Sequence, residues 1–474
     1  MIHHFKSHCL SNLAEKLAEL LESHQPEDPL SQQVIIVPNL DTSRWLKNRL
    51  AHKQGISANS RFILPSEWQW NEIRTLYPDL PKKLPSDPEP MKWVIFDLLS
   101  DPQILRRFSN LERYVASRGE DSKSGALFQL AAQLSFLFDQ YQVYRPEMIL
   151  KWQKGYSGTG DEKWQSELWR LFDKSIKKRR KGFNSLNRAE LFLKILEDRP
   201  EISSKQDTLF VFNPGLVPKT VADLFMKTGL QSELFLFQIQ PSELNGETEN
   251  ELLHSFGNEA GRIRFLYDSG DSKVSLNFSA SDPETEVGKI QESIIRNKPA
   301  EEIKHAVKSL NGIEIRSCHS TEREIETLHQ FLLEKFEEDT NLHPDDILVV
   351  SPNPEKYETA IHAVFSVKEG DQPLIPYHLS GSRSAGIFGV KGAFSHLLTL
   401  ADSRFTFSDV MNLFSFKAVY DRFDLTEADV ELIRKWMIEN HVIWGLNAAH
   451  REEWGQPAQS IQTWHEALRR GWLG

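Results

Sequence analysis

Short runs of aliphatic, β-branched and aromatic residues recur along the chain, each followed by a stretch in which apolar residues return every three or four positions. The clearest runs are Val34 to Val37, Leu209 to Phe212, Leu234 to Ile239, Ile313 to Ser317 and Ile347 to Val350. Runs of this kind and length describe strands buried on both faces of a sheet. With helical patterns between them, they predict α/β architecture, in which parallel sheets are covered by helices.

From about Pro90 to Leu196 the pattern changes. Leu127, Leu130, Leu134, Leu137 and Phe138 fall at helical spacing and no strand-like run interrupts them. This predicts a helical insertion whose ends return to the first sheet, because the next strand begins near Thr208. Between Gln240 and Gly312 the chain turns polar and acidic, with Glu247, Glu249 and Glu251 and then Ser279 to Glu284. That stretch reads as a connection between domains. The predicted division is residues 1–88 with 200–300 as a first α/β domain, 89–199 as the helical insertion, 301–400 as a second α/β domain, and 401–474 as the start of another helical insertion. Trp436, Trp444, Trp454, Trp464 and Trp472 are spread through this last part and are expected to be core or interface anchors. The chain is expected to be the first part of a longer protein.

Composition supports more than one core: of 474 residues, 39% are hydrophobic and 26% charged, with 12 Trp and 28 Phe. The net charge of -11 excludes a generally basic surface, so any nucleic acid must meet a local lining of Lys and Arg. The densest such run is Lys177, Lys178, Arg179, Arg180 and Lys181, which suits either phosphates or a solvated helix face. Cys9 and Cys318 are too few for a metal cluster. No signal-like apolar segment or membrane span is legible, and the expectation is a cytoplasmic protein with no membrane partner.

Two successive parallel-sheet domains raise the possibility of a motor ATPase, which makes sharp demands. A phosphate-binding loop needs glycines, a Lys and a Ser or Thr for magnesium. The first strand-to-helix junction instead offers Ser7, His8, Cys9, Leu10, Ser11 and Asn12. A metal-holding carboxylate should end a central strand. The run at Leu209 to Phe212 continues into Asn213 and Pro214. Neither half of the site is present, so no cofactor is expected and no catalytic residues are nominated. His3 and His4 are adjacent on a strand and face opposite ways, which argues against a shared metal. Glu322, Glu324 and Glu326 read as a solvated helix face.

Several separate segments do resemble one family. They are Val34 to Leu46, Gly55 to Asn59, Phe62 to Ser66 with Trp70, Leu127 to Leu130, Leu137 to Pro146, Asn187 to Leu191, Cys318 to Ser320 with Arg323 to Glu326, Asp402 to Phe405, Arg422 to Leu425 and Ile443 to Leu446. In this order they resemble RecC, the gamma subunit of exodeoxyribonuclease V, over essentially the whole chain. The resemblance implies two superfamily 1 helicase-like domains that have lost their ATPase motifs. It also implies assembly with RecB-like and RecD-like subunits, splitting of double-stranded DNA ends, passage of single-stranded DNA to the motors, and scanning of one strand for a Chi-like sequence.

The positions that line the family's scanning channel correspond to Pro38, Leu40, Arg44, Leu64, Trp70, Phe136, Leu137, Asp139, Gln140, Arg145 and Arg188. Trp70 offers a stacking face, Arg145 and Arg188 can meet phosphate or guanine edges, and Asp139 and Gln140 can bond base edges. Pro38, Leu40 and Arg44 stand where the family pattern has polar uncharged readers, and Phe136 stands where it has a carboxylate. The apolar residues among them take away hydrogen-bond readout, so either a different target sequence or weak reading is expected. Read without the resemblance, Leu64, Leu137 and Trp70 fit core better than channel, and Asp139 with Arg145 fits a local helix or cap pair. The absent phosphate loop gives the first expected outcome: the purified chain does not turn over ATP in the presence of single-stranded DNA, and release of phosphate at motor-like rates overturns that reading.

Overall fold

A computed structural model describes residues 1–474 except 27, 29–30, 57–58, 120–121, 180–184, 199–207, 244–248, 268–271, 278–283, 305–306, 308–311, 367, 370–371, 374, 381–389 and 474. The chain divides into two compact units, Met1–Glu314 and Ile315–Gly474.

The first unit begins with β1 (Ile2–Ser7), α1 (Leu10–Ser23), β2 (Gln33–Ile36), α2 (Leu40–Gln54), β3 (Ser60–Ile63) and α3 (Pro65–Leu76). Among the described residues seven helices follow without a strand: α4 (Pro88–Ser100), α5 (Pro102–Leu105), α6 (Ser109–Ala116), α7 (Lys123–Tyr144), α8 (Pro146–Gln153), α9 (Asp161–Arg179) and α10 (Arg188–Asp198). The chain then returns to the sheet with β4 (Thr208–Phe212), α11 (Lys219–Gln231) and β5 (Glu233–Ile239). It continues through α12 (Glu251–Phe256), α13 (Asn258–Tyr267), β6 (Ser272–Asn277), α14 (Glu286–Ile295) and α15 (Ala300–Ile303). The six strands form one sheet in the order β3-β2-β4-β5-β1-β6, and every pair is parallel.

Both faces of the inner strands are buried, and alternate side chains divide between them. On one face Phe210, Phe212, Phe235 and Phe237 join Ile35 and Val37 beneath α1 and α2, which contribute Leu13, Leu17, Leu21, Leu46 and Leu50. On the other, Leu209, Val211, Leu234 and Leu236 join Ile2, Ile36 and Ile63 against α3, α10, α11 and α13. The period of two along each strand thus supplies both cores from the same runs. The phenylalanines also stack across strands, with ring centroids 5.3 Å apart for Phe210 and Phe235 and 5.3 Å for Phe5 and Phe237. Gly229 near the end of α11 sits so close to the sheet that a Cβ there would lie 2.6 Å from Ile2 Cγ1.

The helical stretch has its own core of Met91, Ile95, Leu99, Leu134, Phe138, Trp152, Leu168, Trp169 and Phe172. The stretch from Gln240 onward, read from its polarity as a connection, carries α12 to α15 and the edge strand β6. Among the described residues β6 pairs with β1 alone, and its Lys273, Val274, Ser275, Leu276 and Asn277 are all exposed. An edge strand open to water needs no apolar run, which is why polarity hid it. The acidic segment around Glu247 and most of Ser279 to Glu284 lie outside the described residues.

Among the described residues the second unit holds α16 (Thr321–Glu338), α17 (Pro354–Phe365), the two-residue strands β7 (Lys368–Glu369) and β8 (Gln372–Pro373), and six further helices. These are α18 (Val390–Ala401), α19 (Phe407–Leu413), α20 (Lys417–Arg422), α21 (Glu427–Glu439), α22 (Ala448–Glu453) and α23 (Trp464–Leu473). Helices α16 and α17 pack through Ile325, Leu332, Ala360 and Phe365. Ser320 caps α16 by accepting from Arg323 N at 3.2 Å, and Glu322, Glu324 and Glu326 line its exposed side.

Here the structure departs from the expected second sheet. Among the described residues, Ile313 to Ser317 and Ile347 to Val350 belong to no strand ladder, and Ile315, Leu348 and Val350 are at least 80% exposed. Strand propensity is realised only where a neighbouring strand takes up the backbone N–H and C=O groups. The one large parallel sheet lies in the first unit. Phe237 is fully buried between β5 and α1, and Phe237→Ala is expected to destabilise the first unit by about 3–5 kcal/mol in denaturant titrations. A loss below about 1 kcal/mol would mean this core closes around the deletion.

Candidate functional site

Parallel strands β2 and β3 run in register, Val34 beside Arg61 and Ile36 beside Ile63. Their C-terminal ends therefore release two loops side by side, at the sheet edge where parallel α/β proteins bind ligands. Pro38 lies in the first loop, and Leu40 and Arg44 lie on the first turns of α2, capped by Asn39 accepting from Thr42 N at 2.8 Å. Leu40 is 73% exposed, and Arg44 is exposed with no carboxylate partner among the described residues. Leu64 ends the second loop as the residue preceding α3.

Trp70 on α3 is half-buried and meets Phe192 of α10 edge-on at 5.5 Å. Two guanidinium groups lie over its ring, those of Arg74 and Arg188, each 5.8 Å from the centroid. Arg188 opens α10 and is the most connected of the nominated residues. Its Nε donates to Asp87 at 3.0 Å and its Nη1 to Asp139 on α7 at 2.6 Å. Its backbone N–H reaches Ser86 Oγ at 3.2 Å and Gln142 Oε1 at 3.1 Å, while Gln142 donates to Ser86 O at 3.1 Å. The start of α10, the entry to α4 and the C-terminal part of α7 are thereby tied at one point beneath Trp70.

The structure thus joins Trp70, Asp139 and Arg188 by direct contact. Asp139 takes Arg188 as its partner, not Arg145, which is exposed at the C-terminal end of α7. Burial pushes the Asp139 carboxyl above the usual carboxylate range; Arg188 opposes the shift and the nearby Asp87 adds to it. Phe136, Leu137 and Gln140 follow one another around a single face of α7, and Phe136 is 62% exposed. Ser86, Asp87 and Gln142 were not foreseen. Asp87 before Pro88 carried a helix-start signal, but nothing local marks Gln142 as a partner of residues 46 positions away.

At the junction where a phosphate loop would stand, Ser7 Oγ accepts from Cys9 N at 3.1 Å and α1 begins without a side-chain cap. Past β4, Asn213 adopts φ 42° and its Oδ1 accepts from Ile239 N at 3.2 Å, joining the β4 and β5 ends. His3 meets Glu233 at 3.3 Å while His4 is buried against Gln238 at 2.7 Å, so the two imidazoles do face opposite ways. Among the described residues no group of three or more His, Cys, Asp or Glu could hold a metal. No described helix is long and apolar enough to cross a membrane. The concavity lined by Met148, Lys151, Lys154, Tyr156 and Glu162 gathers none of the nominated residues. In the basic run, Lys177 is tied to Asp173 at 2.9 Å and Glu190 at 3.3 Å, whereas Arg180 and Lys181 lie outside the described residues.

The family model for the RecC N-terminal domain matches residues 2–295, the whole of this sheet and its helical stretch. The chain belongs to the RecC family. A second model, for the fourth domain of the RecBCD enzyme subunit RecC, matches residues 390–474. RecC of Escherichia coli is 28% identical over 100% of this chain and 48% of its own length, and RecC of Haemophilus influenzae 26% over 99% and 48%. RecC of Mycobacterium tuberculosis is 25% identical over 97% of this chain and 44% of its own. The chain therefore spans about half the length of the curated RecC relatives it matches.

Removing the Arg188 guanidinium leaves Asp87 and Asp139 facing each other without a counter-charge. Arg188→Ala is expected to destabilise the first unit by about 2–4 kcal/mol, below the value for a fully buried pair because Arg188 is partly open to water. A carboxyl whose folded value is raised penalises the fold above that value, and the penalty fades as pH falls through it. Asp139 is already raised, and losing Arg188 raises it further. The destabilisation is therefore larger at pH 7 than at pH 4 in thermal melts, and a pH-independent loss would remove charge repulsion as its cause.

Proposed function

We propose that this chain is the first part of a non-catalytic, DNA-handling subunit of a RecBCD-type helicase and nuclease. Its relatives are named as subunits of the RecBCD enzyme, and RecB-like and RecD-like subunits are the partners this reading assigns. In it, residues 1–88 with 200–300 and residues 301–400 are two helicase-like domains without ATP chemistry, and the segments 89–199 and 401–474 are helical insertions. The assembled enzyme splits DNA ends, and this subunit guides single-stranded DNA past the C-terminal ends of β2 and β3.

One observation carries the proposal. Trp70, a base-sized indole on the helix that follows β3, is held by Phe192 and the Arg74 and Arg188 guanidiniums, and the helix that follows β2 carries the exposed Leu40 and an Arg44 with no carboxylate partner among the described residues. A half-buried indole fixed in this way can stack a base without first losing side-chain freedom. Arg44 supplies a phosphate contact that carries no sequence information. Pro38 and Leu40 add apolar surface and no hydrogen-bond readout, so scanning for a Chi-like sequence falls to Asp139, Gln140 and Arg145.

A second reading has its own support. Arg188 and Asp139 are committed to each other, which withdraws two of the nominated readers from base edges and favours a structural scaffold that does not read sequence.

The two readings part on binding. Trp70→Ala is expected to weaken binding of a labelled oligothymidylate to the full 474-residue chain by about 1–3 kcal/mol, with the circular dichroism unchanged. Arg44→Ala should lower affinity equally across sequences and flatten the salt dependence by about 0.7 in log–log slope. Absence of salt-dependent binding in the wild-type chain and in a reconstituted complex would leave the scaffold reading.

A further inference from the structure

We infer that a second single-stranded nucleic-acid contact is built in the second unit, on Arg404, Arg451, Trp444 and Trp454. It uses none of the residues nominated in the first unit and does not rest on them.

The Arg404 guanidinium lies 6.0 Å from the ring centroid of Trp444 and 5.2 Å from that of Trp454. Arg451 lies over Trp444 at 4.8 Å and donates from Nη2 to the Trp444 carbonyl at 3.1 Å. The backbone holds this group tightly. Gly445 N donates to Arg404 O at 2.9 Å, and Trp464 Nε1 donates to Phe405 O at 2.8 Å. Phe405 adopts φ 50° and Gly445 φ 88°. A Cβ at Gly445 would come within 3.2 Å of Arg451 Nε, so glycine is what lets this guanidinium lie against the chain.

The electrostatics point outward. Arg451 is only 8% exposed, its Nε has no hydrogen-bond partner, and among the described residues neither it nor Arg404 has a carboxylate within ion-pair distance. His450 packs against Phe405 and Trp454, and its Nδ1 is likewise buried without a partner. Arg451, a nearly buried guanidinium charge with no carboxylate partner among the described residues, is a standing demand for an anion. Stacking on tryptophan accounts for Arg404 by itself, but not for a nearly buried Arg451 with a carbonyl as its one hydrogen-bond acceptor.

Three features select a nucleic-acid strand over an acidic protein segment. Arg404 is exposed and offers its donors to a phosphate. Trp454 is 40% exposed and offers an indole to a base. The segment from Gly455 to Gln462 is exposed throughout and uncharged, with Gln456, Gln459 and Gln462 able to bond base edges. An acidic peptide would use the charge and leave the indole and the amides idle. Arg404 is the contacting cation, and Arg451 is a positioning residue that sets the local field.

The test uses the full chain and fluorescence anisotropy with labelled oligothymidylate, an abasic oligomer of the same length, and polyglutamate as a competitor. Trp454→Ala is expected to weaken oligothymidylate binding about tenfold, as loss of one stacked base implies, and to leave binding of the abasic oligomer unchanged. Arg404→Gln should weaken both ligands and reduce the log–log salt slope by about 0.7, while Arg404→Lys retains the slope. Should Arg404→Gln melt early, the comparison of Trp454→Ala on the two oligomers still decides. Wild-type affinity in both Trp454→Ala and Arg404→Gln overturns the inference. So does polyglutamate that binds as tightly as oligothymidylate and is lost equally in both variants, which would make an acidic protein segment the occupant. If Trp70→Ala binds like wild type while Trp454→Ala does not, the reading of the first unit fails and this one stands.

Discussion

The first unit depends on a sheet that must hide both of its faces at once. Strands β4 and β5 place phenylalanines under α1 and α2 and aliphatic residues under α3, α10 and α11. Neither layer of helices can be removed without exposing one face of β4 and β5 to water. The same demand shapes the excursion between β3 and β4. A long helical stretch leaves the sheet after α3 and must come back beside β2, so its exit and return need a fixed relation. Arg188 supplies it through Asp87 at the entry to α4, Asp139 on α7 and the ring of Trp70 on α3. What looks like a recognition residue is also the fastening that holds the candidate surface in shape.

Charge is distributed along the same lines. The chain is acidic as a whole, and many of its cations are spent on ion pairs within helices or between them, as with Lys177 to Asp173 and Glu190. Arg44, Arg145 and Arg404 differ in having no carboxylate partner among the described residues. Arg44 lies beside the strand ends of the first unit, and Arg404 lies against tryptophans in the second. A protein of this net charge can meet a polyanion only through such local exceptions. The Arg188 pairs, by contrast, are neutralised internally and contribute shape in place of attraction.

Much of the fold was legible from local patterns. The runs at Val34, Leu209 and Leu234 became β2, β4 and β5, because an uninterrupted apolar run can only be accommodated where both faces are buried. The helical spacing from Leu127 to Phe138 became the core side of α7. Strand β6 was hidden because an edge exposed to water selects for polarity, and the runs at Ile313 and Ile347 show the converse error. Their residues favour strands, yet among the described residues they join no strand ladder. The candidate site was legible in part: resemblance nominated Trp70, Asp139 and Arg188, and these three do meet, while Ser86, Asp87 and Gln142 gave no sign of joining them.

The sequence by itself determined the α/β class, the helical stretch between strands and the likeness to RecC. Those properties are set by residue type and spacing along the chain, so no folding is needed to read them. Only the tertiary structure decided that Asp139 takes Arg188 and not Arg145, that Asn213 bonds the end of β5, and that Arg404 and Arg451 converge on tryptophans with no acid to balance them. Pairings of this kind join residues from elements far apart in sequence. They are fixed by where the packed helices leave each charge, which the order of residues does not state.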